Sequence, residues 1–286
     1  MSSEAVSSYL LSSFKFGTGN WDPEHRFETS WLFPPYVLFA LRLLMSLYAF
    51  TTLLFNIGYL CANADLGGCE ASRSEFSFFT VLTYWGLAFY MLVASIHTFT
   101  YARYSVPLLD RFPRPLQALH SLYYSTVTTF PFLVTIVYWG VLYTYGSAWF
   151  PTVYGAWSNI SQHALNSFFA LFEIFLTRAN PQPWIHALWL IVLMALYLAL
   201  AYVTRATKGF YVYPFLDPGK TGSLVAAYVF GIGAATLVIF VISKGVVWLR
   251  RWLTEEKLGQ RGKFAKLPPR SIQEVELGDV NGGGMK

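Results

Sequence analysis

Residues 222–249 read GSLVAAYVFGIGAATLVIFVISKGVVWL, and Lys244 is their only charged residue. A helix needs about 20 mostly apolar residues to cross the hydrocarbon core of a bilayer. This stretch is therefore long and apolar enough to form a transmembrane helix. Five further stretches share its character, and we place them at residues 34–60, 76–102, 121–145, 157–177 and 184–205.

The composition agrees with a chain that faces lipid. Hydrophobic residues make up 55% of the sequence and charged residues 12%, whereas soluble domains carry about 25% charged residues. The sequence predicts an all-α polytopic membrane protein whose six transmembrane helices occupy residues 31–251. Residues 1–30 are interpreted as a polar cytoplasmic tail and residues 252–286 as a disordered cytoplasmic tail.

The distribution of lysine and arginine predicts the orientation. Basic residues concentrate on the cytoplasmic side of membrane proteins. With both termini in the cytosol, the basic residues left outside are Arg73, Arg205, Lys208 and Lys220. The other basic flanks attract anionic lipid, so we expect no nucleic-acid partner. A plasma-membrane or endoplasmic-reticulum protein fits this layout.

The two cysteines, Cys61 and Cys69, fall in a loop that this orientation places outside. Extracellular and lumenal compartments permit a disulfide there, and two free thiols at a helix end remain the alternative. The sequence contains no HExxH or CxxC pattern and no glycine-rich phosphate loop. We therefore predict neither a metal nor a cofactor.

The stretch WSNISQHALNSFFALFEIFL, residues 157–176, places polar groups at membrane depth. A helical spacing of three and four residues puts several of them on one face. Ionisable groups inside a membrane are costly and usually face a cavity or a partner. We expect this face to line a functional cavity; its members are Asn159, His163, Asn166, Ala170 and Glu173.

A second hypothesis concerns how the charge of Glu173 is compensated inside the membrane. Ten residues of helix separate Glu173 from His163 by about 15 Å, too far to orient the imidazole. An unpaired carboxylate is strongly disfavoured in the membrane interior. The sequence therefore predicts that Glu173 is paired or protonated, with Arg42 as the candidate partner.

Thr83 lies at about the depth of His163, roughly 9–10 Å below the outer surface by the helical rise. A hydroxyl and a base at one depth are the minimum for covalent acyl chemistry. Asn159 or Asn166 would then fix the tautomer of His163 or stabilise an oxyanion. The alternative is structural: the threonine hydroxyl bonds to its own helix, and the polar face joins neighbouring helices.

Three motifs resemble one membrane family. LTYWGL at residues 82–87, NISQH at 159–163 followed by Glu173, and VYPFLD at 212–217 resemble the androgen-induced-gene proteins, which hydrolyse fatty acid esters of hydroxy fatty acids. VTIVYWGVLY and HALNSFFALFEIFL are similar to the related rolling-stone proteins, associated with myoblast fusion. The first resemblance implies that Thr83 is the nucleophile and His163 the base.

The function we predict is an intramembrane threonine hydrolase of lipid esters with fatty acyl chains. The alternative is a non-enzymatic multi-pass membrane protein for lipid binding or cell-surface organisation. A small transporter is disfavoured because the sequence shows no internal repeat.

The orientation is testable by cysteine accessibility in sealed right-side-out vesicles. In a protein with Cys61 and Cys69 replaced by serine, Asp65→Cys should react with an impermeant maleimide, and Gly284→Cys should react only after permeabilisation. Labelling of Gly284→Cys in intact vesicles would contradict a cytoplasmic C-terminus.

Overall fold

The computed structural model describes residues 21–143 and 150–260, together with Gly262 and Phe264. Within these ranges the secondary structure is helical, and one antiparallel bridge pairs Ser30 with Thr177. The predicted all-α class is confirmed. The α-helices are α1 Pro35–Ala62, α2 Gly68–Glu75, α3 Phe79–Tyr104, α4 Arg114–Val127, α5 Phe130–Val137, α6 Val153–Ile160, α7 Asn166–Leu176, α8 Ile185–Lys208, α9 Pro218–Thr221 and α10 Leu224–Arg251.

Five helical segments of the described chain are long and apolar enough to cross a membrane. Three are α1, α3 and α8. The fourth, Arg114–Leu142, combines α4, α5 and the π-helical turn Tyr138–Leu142, and the fifth extends α10 through the π-helical turn Trp252–Lys257. The predicted span 157–177 falls in another continuous helical segment, from α6 to α7. It is not among the five, because its polar side chains lower its mean hydropathy.

Small side chains allow α1 and α3 to pack closely against each other. Ala49 on α1 and Ala88 on α3 are completely buried, and the Ser46 hydroxyl donates a 3.0 Å hydrogen bond to the carbonyl of Ala88. Small residues permit this close approach between membrane helices. By contrast, only 17% of the residues in the most apolar stretch of α8, and of α10, are buried within the protein. The outer faces of these two helices are therefore available to contact lipid.

The third apolar segment is interrupted at Thr128 and Thr129, between α4 and α5. Pro131 follows at the start of α5 and cannot donate a backbone hydrogen bond. The Thr128 hydroxyl bonds to the Tyr124 carbonyl at 2.9 Å and accepts a 2.8 Å bond from the Gln182 amide. The break is therefore held by side chains, and α5 begins as a separate helix beside α7.

A folded segment, residues 21–34, covers the end of the bundle where α1 begins and α10 ends; we call this the basal end. Arg26 bonds to Glu255, and Arg178 lies 3.2 Å from Glu24. The segment includes residues 21–30 of the region interpreted as a tail; residues 1–20 and 265–286 lie outside the described residues. The helix at the other terminus continues to Lys257, beyond the predicted limit of the membrane domain.

Glu28 is buried in this segment, with only 1% of its surface exposed. Neither carboxylate oxygen has a hydrogen-bond partner among the described residues. Burial raises the pKa of Glu28 well above its ordinary value, and Asp22 and Asp110 raise it further, whereas Arg42 lowers it. We therefore expect Glu28 to be a neutral acid in the folded protein.

This arrangement predicts that stability falls as the pH rises. A carboxyl whose pKa is raised by folding stabilises the fold below its unfolded pKa, and the contribution is lost as the pH rises towards the folded pKa. Glu28→Gln mimics the neutral acid, so its melting temperature in detergent should exceed that of the wild type at about pH 8, and the difference should shrink towards about pH 5. Each pKa unit is worth about 1.4 kcal/mol.

Glu24→Gln is the matched control. Burial acts to raise the pKa of Glu24, but the hydrogen bond and charge of Arg26, together with Arg178, lower it overall. Its neutral variant should therefore lose stability near neutral pH. A Glu28→Gln protein with the wild-type pH profile would show that this carboxyl is ionised or hydrated in the fold.

Candidate functional site

The helical segment from α6 to α7 carries the polar residues singled out in the sequence. Between its α-helical parts lies a π-helical turn, Ser161–Leu165. Such a turn adds one residue and rotates the following side chains by about 100° relative to a continuous α-helix. The single polar face expected from the spacing is therefore split: His163 contacts Tyr138, whereas Glu173 contacts Arg42.

His163 lies in the π-helical turn and is 9% exposed. Its Nδ1 is 2.9 Å from the carbonyl oxygen of Asn159. A carbonyl can only accept, so Nδ1 carries the proton and Nε2 keeps its lone pair in the neutral ring. Nε2 makes no hydrogen bond to any residue in the described ranges. The imidazole thus holds the tautomer that a general base at Nε2 requires.

Two aromatic residues that the sequence did not single out surround His163. The ring of Tyr138 stacks on the imidazole, with 3.6 Å between centroids and 15° between planes. The Trp139 indole donates a 2.9 Å hydrogen bond to the His163 carbonyl. Both residues belong to the motif VTIVYWGVLY, whose pattern does not show which side chains face the histidine.

Thr83 lies on α3, and its hydroxyl bonds to its own helix. Its Oγ1 is 2.9 Å from the carbonyl of Phe79 and 3.0 Å from that of Thr80. No hydrogen bond joins Thr83 to His163 among the described residues. The structure therefore places both residues in the bundle without bringing their functional atoms into contact.

Two largely apolar cavities flank the start of α3. Cavity A, about 530 Å³, is bounded by α3, α5, α8, α10 and the 3₁₀ turn Pro214–Leu216, and it is lined by Thr80 and Tyr138. Cavity B, about 610 Å³, lies between α3, α4, α5 and α8 and is lined by Thr83. The rings of Phe79 and Tyr197 line both cavities. Thr83 and the aromatic partner of His163 therefore face different compartments.

Asn166, predicted to support His163, joins α7 to α5. Its amide nitrogen donates to the Pro131 carbonyl at 3.2 Å, and its amide oxygen accepts from the Thr135 hydroxyl at 3.1 Å. Asn159 is the asparagine that contacts the imidazole, through its backbone carbonyl. Among the described residues, no cluster of three or more His, Cys, Asp or Glu side chains could hold a metal ion.

The predicted pairing of Glu173 with Arg42 is confirmed. The guanidinium donates two hydrogen bonds to the carboxylate, of 2.8 Å from Nε and 2.7 Å from Nη2. The Tyr90 hydroxyl adds a third, longer bond to Glu173 at 3.2 Å. Both charged side chains are almost completely buried. Such a bidentate pair is the geometry that compensates best for removing two charges from water.

The sequence profile of the FAR-17a/AIG1-like proteins matches residues 70–247. The chain belongs to this family. The matched region includes Thr83, His163 and Glu173, so the motifs noted in the sequence lie inside it. Comparison with curated proteins gave no match, and neither did comparison with solved structures.

The buried Arg42–Glu173 pair should contribute more to the free energy of unfolding than an ion pair on the surface does. Glu173→Leu leaves a buried guanidinium without its counter-ion, which should cost about 3–5 kcal/mol of unfolding free energy. Replacing Arg42 by leucine as well should recover much of this loss. Denaturant titration in detergent micelles measures both effects.

Glu70→Leu is the control, because Glu70 pairs with Arg73 at 3.6 Å on an exposed helix surface. Exposed pairs contribute little, so this variant should unfold like the wild type. Equal stability of Glu173→Leu and Glu70→Leu would contradict a structural role for the buried pair.

Proposed function

We propose that the protein is an intramembrane threonine hydrolase of lipid esters with fatty acyl chains, in which Thr83 is the nucleophile and His163 the base. The observation that carries the proposal is the imidazole tautomer, fixed by the Asn159 carbonyl at 2.9 Å with Nε2 left as a lone-pair donor. Membership of the FAR-17a/AIG1-like family supports it, because the motifs that resemble the hydrolase branch contain both residues.

The reaction would proceed through an acyl-enzyme. Oγ1 of Thr83 attacks the ester carbonyl carbon while Nε2 of His163 takes its proton, and the proton then passes to the departing alcohol. A water molecule, deprotonated by His163, then attacks the threonyl ester; the bond between the acyl carbon and Oγ1 breaks, the proton returns from His163 to Oγ1, and the fatty acid is released. To enter this cycle, the Thr83 hydroxyl must turn away from the carbonyls of Phe79 and Thr80.

The cavities support an apolar substrate. Ligand sites are typically cavities of about 300–1,000 Å³ with apolar walls and a few polar groups, and both cavities fall within that range. Cavity B is the one that Thr83 lines, and two of its other lining residues, Leu119 and Leu196, are 56% and 62% exposed. In this proposal an acyl chain enters from the bilayer, so the substrate need not cross water.

For the topology we propose six spans with both termini in the cytosol, in the plasma membrane or the endoplasmic reticulum. The helical segment Val153–Leu176 would be the additional span, fourth in chain order. Its polar side chains, among them His163, Asn166 and Glu173, are buried, whereas Phe168, Leu171 and Phe175 are exposed. A disulfide joins Cys61, in the last turn of α1, to Cys69, in the first turn of α2. Disulfides persist in oxidising compartments, which supports an external position for this loop.

The second candidate is a non-enzymatic lipid-binding protein. The observation that favours it is the Thr83 hydroxyl, which bonds to two carbonyls of its own helix as structural threonines do. On this alternative the cavities hold lipid, and the polar residues of α6 and α7 only join helices.

Assays of ester hydrolysis and of fluorophosphonate labelling on the purified protein distinguish the hydrolase from the non-enzymatic lipid-binding protein. Thr83→Ala and His163→Ala should each lower turnover by about 100-fold or more. The double variant should be no worse than either, because nucleophile and base act as a unit. Thr83→Ser should retain part of the activity, and Thr80→Ala should lose less.

Thr236→Ala is the matched control. Thr236 is also a membrane-helix threonine, bonded to the Ile232 carbonyl at 2.9 Å, but it lines neither cavity. It should keep wild-type turnover. A well-folded Thr83→Ala protein with full activity would exclude this mechanism and leave the lipid-binding alternative.

A further inference from the structure

Tyr138 both lines cavity A and contacts His163. It is the first residue of the π-helical turn Tyr138–Leu142, immediately after α5. Its ring covers one face of the His163 imidazole at 3.6 Å. It also lines cavity A, whereas His163 does not. The phenol therefore stands between the imidazole and cavity A.

The Tyr138 hydroxyl is also linked to His163 through Asn159. It donates a 2.7 Å hydrogen bond to Oδ1 of Asn159. The backbone carbonyl of the same Asn159 accepts from Nδ1 of His163. The Asn159 amide nitrogen in turn bonds to the Gly155 carbonyl at 2.8 Å. One tyrosine thus fixes the residue that sets the tautomer and, by stacking, the plane of the imidazole.

We infer that Tyr138 is the positioning residue for His163: its hydroxyl holds Asn159 in place, and its ring orients the imidazole and screens it from cavity A. The positioning role rests on the proposed hydrolase function, whereas the screening role does not. Tyr138 makes no bond to the substrate in this scheme and acts through His163.

The two roles separate in two variants. Tyr138→Phe keeps the stacked ring and loses the bond to Asn159, so kcat should fall about five- to tenfold with little change in KM. Tyr138→Leu also loses the ring, and a misplaced base can cost about 100-fold. Tyr228→Leu is the control, because Tyr228 stacks on Phe215 and does not touch His163.

Modification by diethyl pyrocarbonate tests the screening role without any turnover. Peptide-resolved mass spectrometry should show severalfold faster modification of His163 in Tyr138→Leu than in the wild type or Tyr138→Phe. His186, bonded to Ser125 at 2.7 Å on other helices, serves as the internal reference and should keep its rate.

The outcomes distinguish this inference from the proposed function. An unchanged His163 modification rate in folded Tyr138→Leu overturns the screening role, even if ester hydrolysis is confirmed. Wild-type kcat in Tyr138→Phe overturns the positioning role. If the wild type hydrolyses no ester, the proposed function fails and the positioning role fails with it, while faster modification in Tyr138→Leu still supports screening.

Discussion

The pairing of Arg42 with Glu173 is the constraint on which the rest of the bundle depends. A charge in the membrane interior must be matched by a counter-charge and by hydrogen bonds in defined directions. The guanidinium uses its remaining donors on the Phe27 carbonyl at 2.8 Å and the Thr98 hydroxyl at 2.6 Å. One planar group on α1 therefore fixes the basal segment, α3 and α7 relative to one another.

This constraint also explains why the backbone near His163 can be irregular. Non-helical or widened backbone at membrane depth is tolerated where it is buried in protein or lines a cavity. Two π-helical turns, Tyr138–Leu142 and Ser161–Leu165, lie side by side here. Trp139 of the first turn donates to the His163 carbonyl in the second. The Arg42–Glu173 ion pair holds α7 in place. The π-helical turn Ser161–Leu165, which precedes α7, can therefore carry His163 without destabilising the packing of the helices.

The sequence predicted the parts of this structure that lipid dictates. Apolar runs placed α1, α3, α8 and α10 to within a few residues, and charge burial indicated the partner of Glu173. The π-helical turns were not predictable, because they have no fixed residue pattern and break the spacing from which a helix face is deduced. Tyr138 was missed for the same reason.

The predicted match between Thr83 and His163 used depth alone. Depth along a helix gives no information on rotation about its axis, and the structure has the Thr83 hydroxyl bonded within α3. The folded basal segment was likewise not predicted from the sequence, because a polar stretch with few apolar residues is typical of a tail. Two of its ion pairs join residues that are remote in the chain, Arg26 with Glu255 and Glu24 with Arg178.

That remoteness has a consequence for biosynthesis. Arg26 bonds to Glu255, 229 positions later, so its partner does not exist until nearly the whole chain has left the ribosome. Contacts between such distant residues form late, since the intervening chain must first be in place. The ion pair between Arg26 and Glu255 is therefore among the last contacts to form, and it joins the segment before α1 to the helical turn after α10 only once both have been synthesised.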